Sequence, residues 1–434
     1  MTSSANDHRP QRPRQAPAHP APMAPRVRRP GRASLHTLPP LAVALSALAL
    51  ISCVGAAGRP GAAGQSGGRS PAAPTTDASG SAGSPSAVTS PAALPNLTPA
   101  QKAGQRVIYS YSGLQPPATL LSWIRHGQVG GVIFFGGNIS SPAQIAGVIK
   151  QLDQANASAA NPLRAVPLLL MTDQEGGVVR RLPGRPFASE KQIGEEAHPA
   201  AAAKPAGTGA GQNLAGVGMN VNLAPVLDVY RTAGDFDDQF GRSYSTSPQV
   251  VSALGADFIK AQQATGVAAT AKHFPGLGAA SSTQDTDARP VTLNVGLHAL
   301  RTIDEYPYRA AIAAGVKLVM LSWAVYPALA RSTPAGLSSA VVNGELRDRL
   351  GFRGVTITDA LEAGALQAFG TTGHRATLAA RAGMDLILCS GQRASQGRLA
   401  RSALATALSS GALSASVFDA ALTRVIALRT GLRG

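Results

Sequence analysis

Residues 267–278 read VAATAKHFPGLG. The stretch opens with an almost continuous apolar run, Val267–Ala271, which is typical of a parallel strand buried on both faces. Lys272 and His273 follow directly, and a Pro-Gly-Leu-Gly turn comes after Phe274. A core-edge ion pair for Lys272 and a supporting role for His273 are the alternatives to direct ligand contact. Because a charged side chain is costly beside a buried strand, the pattern favours a site at this strand end.

Seven further segments are short, nearly continuous apolar runs like Val267–Ala271, and they alternate with amphipathic stretches. They are Val107–Tyr111, Gly131–Phe135, Pro167–Met171, Met219–Leu223, Lys317–Leu321, Gly354–Thr358 and Asp385–Cys389. The helical stretches include Pro142–Ala155, Val250–Thr265, Asp304–Ala314 and Gly373–Ala382, and residues 394–432 read as two closing helices. Eight such strands with intervening helices predict an α/β protein, either a TIM barrel or a doubly wound open sheet.

Polar residues at the ends of the predicted strands separate these two architectures. They are Asp173-Gln174-Glu175, Asn222, Asp228, Lys272-His273, Ser322-Trp323 and Asp359. A barrel draws its active site from the carboxyl ends of many strands, whereas a nucleotide crevice does not need so many. Neither a G-x-G-x-x-G after the first strand nor a Walker A motif occurs. We therefore predict a (β/α)8 TIM barrel as a single catalytic domain over residues 97–434, without a cofactor.

The first 96 residues differ in composition, since they are rich in Pro, Ala, Ser, Gly and Arg. A basic patch, Arg26–Arg32, precedes the apolar run Leu41–Ser52. This order is typical of an export signal, and the run is short for a transmembrane span. We expect a signal peptide over residues 1–53 and a disordered Pro/Gly/Ser/Ala-rich tether over residues 54–96.

Leu50-Ile51-Ser52-Cys53 resembles a bacterial lipobox, which implies a lipid on Cys53 and a cell-membrane lipoprotein facing the cell wall. An ordinary signal peptide and an uncleaved anchor are the alternatives. The chain has two cysteines, so lipid on Cys53 leaves Cys389 without a partner for a disulfide.

Charge does not indicate a nucleic-acid partner, although the formal net charge is +16. Nine of the 39 basic residues lie in residues 1–96, and the remainder includes no dense Lys/Arg run interleaved with aromatics. No dense Cys/His cluster suits a metal ion. We expect a monomer with no nucleic-acid partner and no metal.

Two carboxylate segments complete the predicted site. Asp359 follows the strand Gly354–Thr358 and is either a nucleophile or the N-cap of a following helix. Asp173-Gln174-Glu175 precedes Arg180 and Arg181, a combination that suits binding of vicinal hydroxyls, with arginine holding the carboxylate charge. A loop salt bridge is the alternative for this second segment.

Three stretches of the chain resemble, in order and spacing, the motifs of glycoside hydrolase family 3. They are Asp173–Gly177 (DQEGG), Lys272–Gly276 (KHFPG) and Thr358-Asp359. Within the family, the resemblance is to the bacterial β-N-acetylglucosaminidase (β-hexosaminidase) branch. The resemblance covers about residues 97–434. It implies that Asp359 is the nucleophile. It also implies a set of residues that bind the non-reducing sugar: Asp173, Arg181, Arg242, Lys272 and His273.

One position departs from that branch, in which a histidine paired with an aspartate donates the proton. Asp285-Thr286-Asp287 stands where D-S/T-H would fall, so we predict Asp285 or Asp287 as the acid/base. Two adjacent carboxylates raise one another's pKa, as a general acid requires. A solvated loop is the alternative, and His298 is a weaker candidate donor.

The resemblance implies a retaining exo-β-N-acetylglucosaminidase that acts on peptidoglycan-type glycans through a glycosyl-aspartate intermediate. Three other activities remain open on the sequence: transfer to phosphate instead of water, β-glucosidase activity, and glycan binding by a catalytically weak lipoprotein.

Overall fold

Eight parallel strands form a ring in the computed structural model, which describes residues 96–432. They are β1 (Val107–Tyr109), β2 (Gly131–Ile133), β3 (Leu169–Thr172), β4 (Val221–Asn222), β5 (Ala268–Phe274), β6 (Leu318–Leu321), β7 (Val355–Thr358) and β8 (Ile387–Leu388). Each strand from β2 to β7 pairs with its predecessor, and β1 pairs with β8. An isolated bridge between Ile357 of β7 and Leu386, the residue before β8, closes the ring. The predicted TIM barrel is confirmed, with strand bounds that differ by a few residues.

Helices surround the ring and connect its strands. They are α1 (Pro99–Gly104), α2 (Ala118–Arg125), α3 (Pro142–Asn156), α4 (Glu190–Gly194), α5 (Pro199–Ala215), α6 (Pro248–Gln263), α7 (Leu297–Ala299), α8 (Tyr306–Ala313), α9 (Thr372–Ala382), α10 (Ala394–Ser409) and α11 (Ala415–Gly431). Short 3₁₀ turns lie at Gly136–Asn138, Asp238–Phe240, Ala335–Leu337 and Gly364–Phe369, and π-helical turns at Leu300–Asp304 and Ala340–Arg349. An antiparallel hairpin, Gln174–Gly176 with Val179–Arg180, follows β3.

Several helix starts follow from a short sequence pattern, a hydroxyl residue before a proline. Thr98, Ser141 and Ser247 each accept a hydrogen bond from the backbone N–H three residues on, and a proline occupies the first helical position. The hydroxyl satisfies a free N–H of the first turn, and proline has no N–H to satisfy. The pattern therefore sets where α1, α3 and α6 begin.

The core has two layers, one inside the ring and one between the ring and its helices. The inner layer contains alternate strand residues such as Ile133, Met171, Leu318 and Ile357. Val425 of α11 belongs to the same inner cluster, and Leu428 packs against it. The C-terminal helix therefore covers the N-terminal end of the barrel, and the opposite end remains free for a site.

Three predicted features lie outside the described residues. They are the signal peptide (residues 1–53), the lipid site at Cys53 and nearly all of the tether (residues 54–96). Within residues 96–432, no helix has the length and apolar character needed to cross a membrane. Cys389 is buried there as a free thiol.

Candidate active site

A cavity of about 400 Å³ lies at the carboxyl ends of the strands. All eight residues predicted for catalysis or sugar binding line it: Asp173, Arg181, Arg242, Lys272, His273, Asp285, Asp287 and Asp359. The barrel thus gathers side chains that lie up to 186 positions apart in the chain, from Asp173 to Asp359. His298 is exposed in α7 and does not line the cavity, so the structure does not support it as a proton donor.

Lys272 lies between two carboxylates of the DQEGG motif. Its Nζ is 2.9 Å from Asp173 Oδ1 and 2.6 Å from Glu175 Oε1. Burial by itself lowers the pKa of Lys272, but Asp173 and Glu175 more than compensate and raise it, so the amine stays charged. The peptide bond between Lys272 and His273 is cis, as is Phe274–Pro275, and both side chains line the cavity.

Glu175 joins Lys272 to Arg242. Arg242 Nε and Nη2 donate to the two Glu175 oxygens at 2.9 and 3.0 Å, and Nη1 donates to Asp237 at 2.7 Å. Burial acts to raise the pKa of Glu175, yet the charges of Arg242 and Lys272 lower it to about 2. The partners of this carboxylate are therefore Arg242 and Lys272. The expectation that the adjacent Arg180 and Arg181 hold it is wrong, because a distant arginine is closer in space.

Arg181 is available for a ligand. Its backbone N–H donates to the Asp173 carbonyl, while its buried Nε has no hydrogen-bond partner among the described residues. Arg180 instead donates to the carbonyl of Gly184 at 2.7 Å. A buried guanidinium N–H without a partner is costly, and a substrate oxygen would satisfy it.

His273 is oriented by Asp228, which follows β4. His273 Nδ1 lies 2.7 Å from Asp228 Oδ2, and the Leu277 backbone N–H donates to the other oxygen at 2.5 Å. Burial, and next the charge of Arg242, lower the pKa of His273 to about 4, so the ring is neutral at pH 7. A neutral ring that donates from Nδ1 presents Nε2 as a hydrogen-bond acceptor.

Asp228, Asp237 and His273 also meet the spacing of a three-ligand metal site. Several of their atoms have partners, since His273 Nδ1 contacts Asp228 Oδ2 and Arg242 donates to Asp237 Oδ1, while Asp237 Oδ2 has no hydrogen-bond partner among the described residues. The two aspartates therefore serve to orient the His273 imidazole and to balance the charge of Arg242.

Asp359 is poised as a carboxylate with few partners. Its Oδ1 accepts the backbone N–H of Ala360 at 2.7 Å. The next helical turn starts at Gly364 with Ala363 as its cap, so Asp359 is not a helix N-cap. Burial and then Asp287 raise the pKa of Asp359, to about 6, while His273 and Lys272 act to lower it. Its lone pairs therefore remain open toward the cavity.

The loop with Asp285 and Asp287 is docked onto the segment that follows Asp359. Gly364 N–H donates to the Asp287 carbonyl at 2.7 Å, and Ala365 N–H donates to the Thr286 carbonyl at 3.0 Å. A side chain at Gly364 would meet the Ala288 carbonyl oxygen at 2.2 Å, so the two segments approach closely only because this residue is glycine. These contacts favour a positioned loop over the solvated one considered above.

The carboxyl group of Asp287 has a raised pKa. It lies at the cavity rim, where part of the residue is exposed to solvent and part is covered by the cavity lining. Reduced hydration, then the charges of Asp285 and Glu362, raise its pKa. The charge of Asp287 in turn helps to raise the pKa of Asp359. Glycoside hydrolysis requires that one of two such carboxylates is ionised while the other keeps its proton.

Glu175 and Glu362 also line the cavity, although the sequence assigned neither of them a role of its own in catalysis or sugar binding. Glu362 accepts hydrogen bonds from the Ser390 hydroxyl at 2.7 Å and from Gln396 Nε2 at 2.8 Å. Glu175 could have been recognised because it lies two positions from Asp173 in the same motif. Glu362 offered no such signal, since its partners come from the end of β8 and from α10.

Comparison with known proteins identifies the family of the chain. The family description "Glycosyl hydrolase family 3 N terminal domain" matches residues 100–428. A protein described as an uncharacterized secreted glycosyl hydrolase, from Arthroderma benhamiae, is 46% identical over 349 residues, 80% of this chain and 97% of the relative.

Two solved structures share the fold at recognisable sequence identity. A glycoside hydrolase family 3 β-N-acetylglucosaminidase from a Paenibacillus species is 36% identical with a TM-score of 0.73, over 78% of this chain and 64% of that one. A β-N-acetylhexosaminidase from Beutenbergia cavernae is 30% identical with a TM-score of 0.69, over 77% of this chain and 99% of that one. The family resemblance inferred from three motifs is confirmed, and the chain belongs to glycoside hydrolase family 3.

Proposed function

We propose that this protein is an exported, retaining exo-β-N-acetylglucosaminidase that acts on cell-wall glycans ending in β-linked N-acetylglucosamine. The observation that carries the proposal is the shared cavity of Asp359, Asp287 and the Lys272–Glu175–Arg242 network. The Paenibacillus and Beutenbergia structures, described as a β-N-acetylglucosaminidase and a β-N-acetylhexosaminidase, support the choice of sugar.

In the first step, Asp359 attacks the anomeric carbon while Asp287 gives its proton to the departing glycosidic oxygen. A glycosyl-Asp359 ester forms and the aglycone leaves as an alcohol. In the second step, Asp287, now ionised, takes a proton from water, and the water oxygen displaces Asp359. The two inversions restore the β configuration. Asp285 supports the loop by accepting the Asp287 N–H at 2.8 Å.

The remaining cavity residues hold the sugar ring. Asp173, Arg181, Lys272 and His273 supply acceptors and donors for the ring hydroxyls. Arg242 acts through Glu175, because all three of its guanidinium nitrogens donate to Glu175 or Asp237. Hydrogen bonds from such residues tighten in the transition state and lower the barrier.

Charge at the cavity rim favours water over phosphate as the acceptor. Asp285, Asp287 and Glu362 all line the cavity, and carboxylates repel an incoming anion. The presence of an acid and a nucleophile favours turnover over simple glycan binding. The hexosaminidase relatives favour N-acetylglucosamine over glucose.

The location proposed for the enzyme is the outer face of the cytoplasmic membrane, held as a monomer through lipid on Cys53. The lipobox-like sequence motivates it. The Arthroderma benhamiae relative, described as secreted, supports export.

The proposal is tested by trapping the intermediate with a fluorinated N-acetylglucosamine-type inactivator and mapping the labelled peptide. We expect a label on Asp359 and preferential turnover of an aryl N-acetylglucosaminide over an aryl glucoside. A label on another residue would end the mechanism, and a preference for glucoside would end the substrate assignment. Retention is read directly from the anomer released.

A further inference from the structure

We propose that a surface groove beside the cavity binds the sugar units on the leaving-group side of the substrate. The groove is lined by Gly177, Val178, Phe187, Ser189, Lys191, Gln192, Glu195 and Phe240, and we call it the Phe187 groove. The inference rests on the proposed function and extends it, because it assigns the remainder of the glycan a binding site of its own.

Exposed apolar side chains are concentrated in this groove. Val178 is 70% exposed, Phe187 63% and Phe240 46%. Across residues 96–432 there are seven such large exposed hydrophobics, so almost half of them lie here. Exposed phenylalanine rings cost solvation free energy unless a ligand covers them, and clusters of them mark binding grooves. A pyranose has an apolar face of C–H groups that suits an aromatic ring.

The groove is built from three segments that are tied together. The Gly177 N–H at the hairpin tip donates to the Phe187 carbonyl at 3.2 Å, and the Lys191 N–H donates to the Gly241 carbonyl at 3.1 Å. The Lys191 amine also lies 2.6 Å from Asp238. These bonds hold Phe187 and Phe240 in place before any ligand arrives, so binding requires little ordering.

Glycine at the hairpin tip makes this arrangement possible. Gly177 has a φ of +55°, and a side chain there would lie 2.6 Å from the Ser189 Cβ. Gly176 has a φ of +123°, and a side chain would meet the Ala188 carbonyl oxygen at 2.2 Å. The Gly-Gly pair of the DQEGG motif therefore brings the groove wall against the segment that contains Asp173 and Glu175.

Phe240 connects the groove to the catalytic cavity, since it lines both. Its ring packs edge-on against Phe236, another cavity residue, with ring centroids 5.8 Å apart. A glycan whose terminal sugar occupies the cavity must leave it through the rim. The continuity at Phe240 directs the following sugar units along the groove toward Phe187.

Charges around the groove suit a neutral, hydroxyl-rich ligand. Glu195 lines it, and the guanidinium groups of Arg180 and Arg185 lie 5.1 and 5.7 Å from the centre of the Phe187 ring. Lys191 is already paired with Asp238, and Gln192 is exposed. Because the groove has a carboxylate on one side and guanidinium groups on the other, it favours neither an anionic nor a cationic ligand. Both kinds of group can hydrogen-bond a sugar hydroxyl.

The test compares kcat/KM for an aryl N-acetylglucosaminide with that for β-1,4-linked N-acetylglucosamine di-, tri- and tetrasaccharides. In Phe187→Ala we expect the tri- and tetrasaccharides to lose about 5- to 10-fold, through KM, while the aryl glycoside stays within about twofold. Leu399→Ala removes another exposed hydrophobic side chain, 47% exposed, from α10 and away from the groove lining, and should change neither.

Equal losses on all substrates, or none on the longer ones, would overturn the groove assignment. A wild-type enzyme that turns over every N-acetylglucosamine substrate with no dependence on chain length would also overturn it. A wild-type enzyme that cleaves none of them contradicts the proposed function instead, so the two failures are distinct. Val178→Ser provides a second variant at the hairpin tip, and thermal unfolding verifies that each variant folds.

Discussion

Two aspartates at opposite ends of the barrel, Asp385 and Asp359, show how the same residue type serves structure at one end and chemistry at the other. Asp385 precedes β8 and accepts from Arg347 at 2.6 Å, from Arg424 at 2.8 Å and from the Thr356 N–H at 2.8 Å. Asp359 follows β7 and, in residues 96–432, accepts from the Ala360 N–H alone. The first carboxylate is fully satisfied by protein donors, whereas the second keeps its oxygens for a reactant.

The coverage of the two ends explains this difference. Helix α11 covers the N-terminal end, where Arg429 donates to Gln105 and, at 2.7 Å, to the Pro167 carbonyl. The carboxyl ends of the strands instead surround a cavity of about 400 Å³. A buried charge that is fully paired holds the fold together, and an incompletely paired charge beside a cavity indicates function.

The largest effect is expected from Asp359→Asn, which removes the nucleophile. We predict a fall in kcat of at least about 10⁴-fold on every substrate, with the melting temperature close to that of the wild type. Steady-state assays with an aryl N-acetylglucosaminide measure the first quantity and calorimetry the second. Undiminished turnover would refute the role of Asp359.

Next in size is Asp287→Asn, which removes the proposed acid. We predict a loss of about 10²–10⁴-fold on N-acetylglucosamine oligosaccharides. The loss should be much smaller on a dinitrophenyl glycoside, whose leaving group needs no proton. Asp285→Asn is the matched control and should cost about tenfold or less on both. If Asp285→Asn shows the larger leaving-group dependence, the two roles are exchanged.

Asp385→Asn should affect stability and leave the chemistry intact. It leaves Arg347 and Arg424 without their buried counter-charge, which we expect to cost about 3 kcal/mol in the free energy of unfolding. The kcat of the folded fraction should equal that of the wild type. Denaturant unfolding and active-site titration separate these quantities, and a stable variant with low kcat would contradict the division between the two ends.

The smallest effect concerns the pH profile of kcat/KM. Asp359 must be ionised and its pKa is about 6, so activity should fall as the pH drops below about 6. Asp287 must be protonated, so its raised pKa extends activity to higher pH. Asp285, Glu362 and Asp173 face Asp287 as carboxylates that act to raise its pKa, and Arg242 acts to lower it.

Glu362→Gln removes one of these negative charges and should move the alkaline limb to lower pH, by up to about one unit. Ser390→Ala retains the charge but removes a hydrogen bond to Glu362, so it should leave the alkaline limb in place. An unshifted limb in Glu362→Gln would show that this carboxylate does not influence the acid.

Sequence patterns predicted much of the molecule. Continuous apolar runs predicted all eight strands, because parallel strands are covered on both faces and need no polar positions. Hydroxyl–proline pairs mark three helix starts for the same kind of local reason. Eight candidate site residues were recognised because each follows a strand or belongs to a motif, and all eight line one cavity.

Partnerships between side chains could not be predicted in this way. Glu175 was expected to pair with the arginines adjacent in sequence, but it pairs with Arg242 and Lys272, which are 67 and 97 positions away. Two further contacts likewise form between segments that are distant in the sequence. The Asp285–Asp287 loop docks onto Gly364, and Glu362 lies near Asp287.

By itself, then, the sequence determined the strands, the barrel and the strand ends at which chemistry could occur, because these follow from the local order of apolar, turn-forming and charged residues. Only the tertiary structure decided which charged groups pair and which pKa values shift. It also decided which aspartate has its carboxylate oxygens bonded by protein donors and which keeps them available to a ligand. Those outcomes depend on distances and burial across the ring, and closure of the barrel sets both at once.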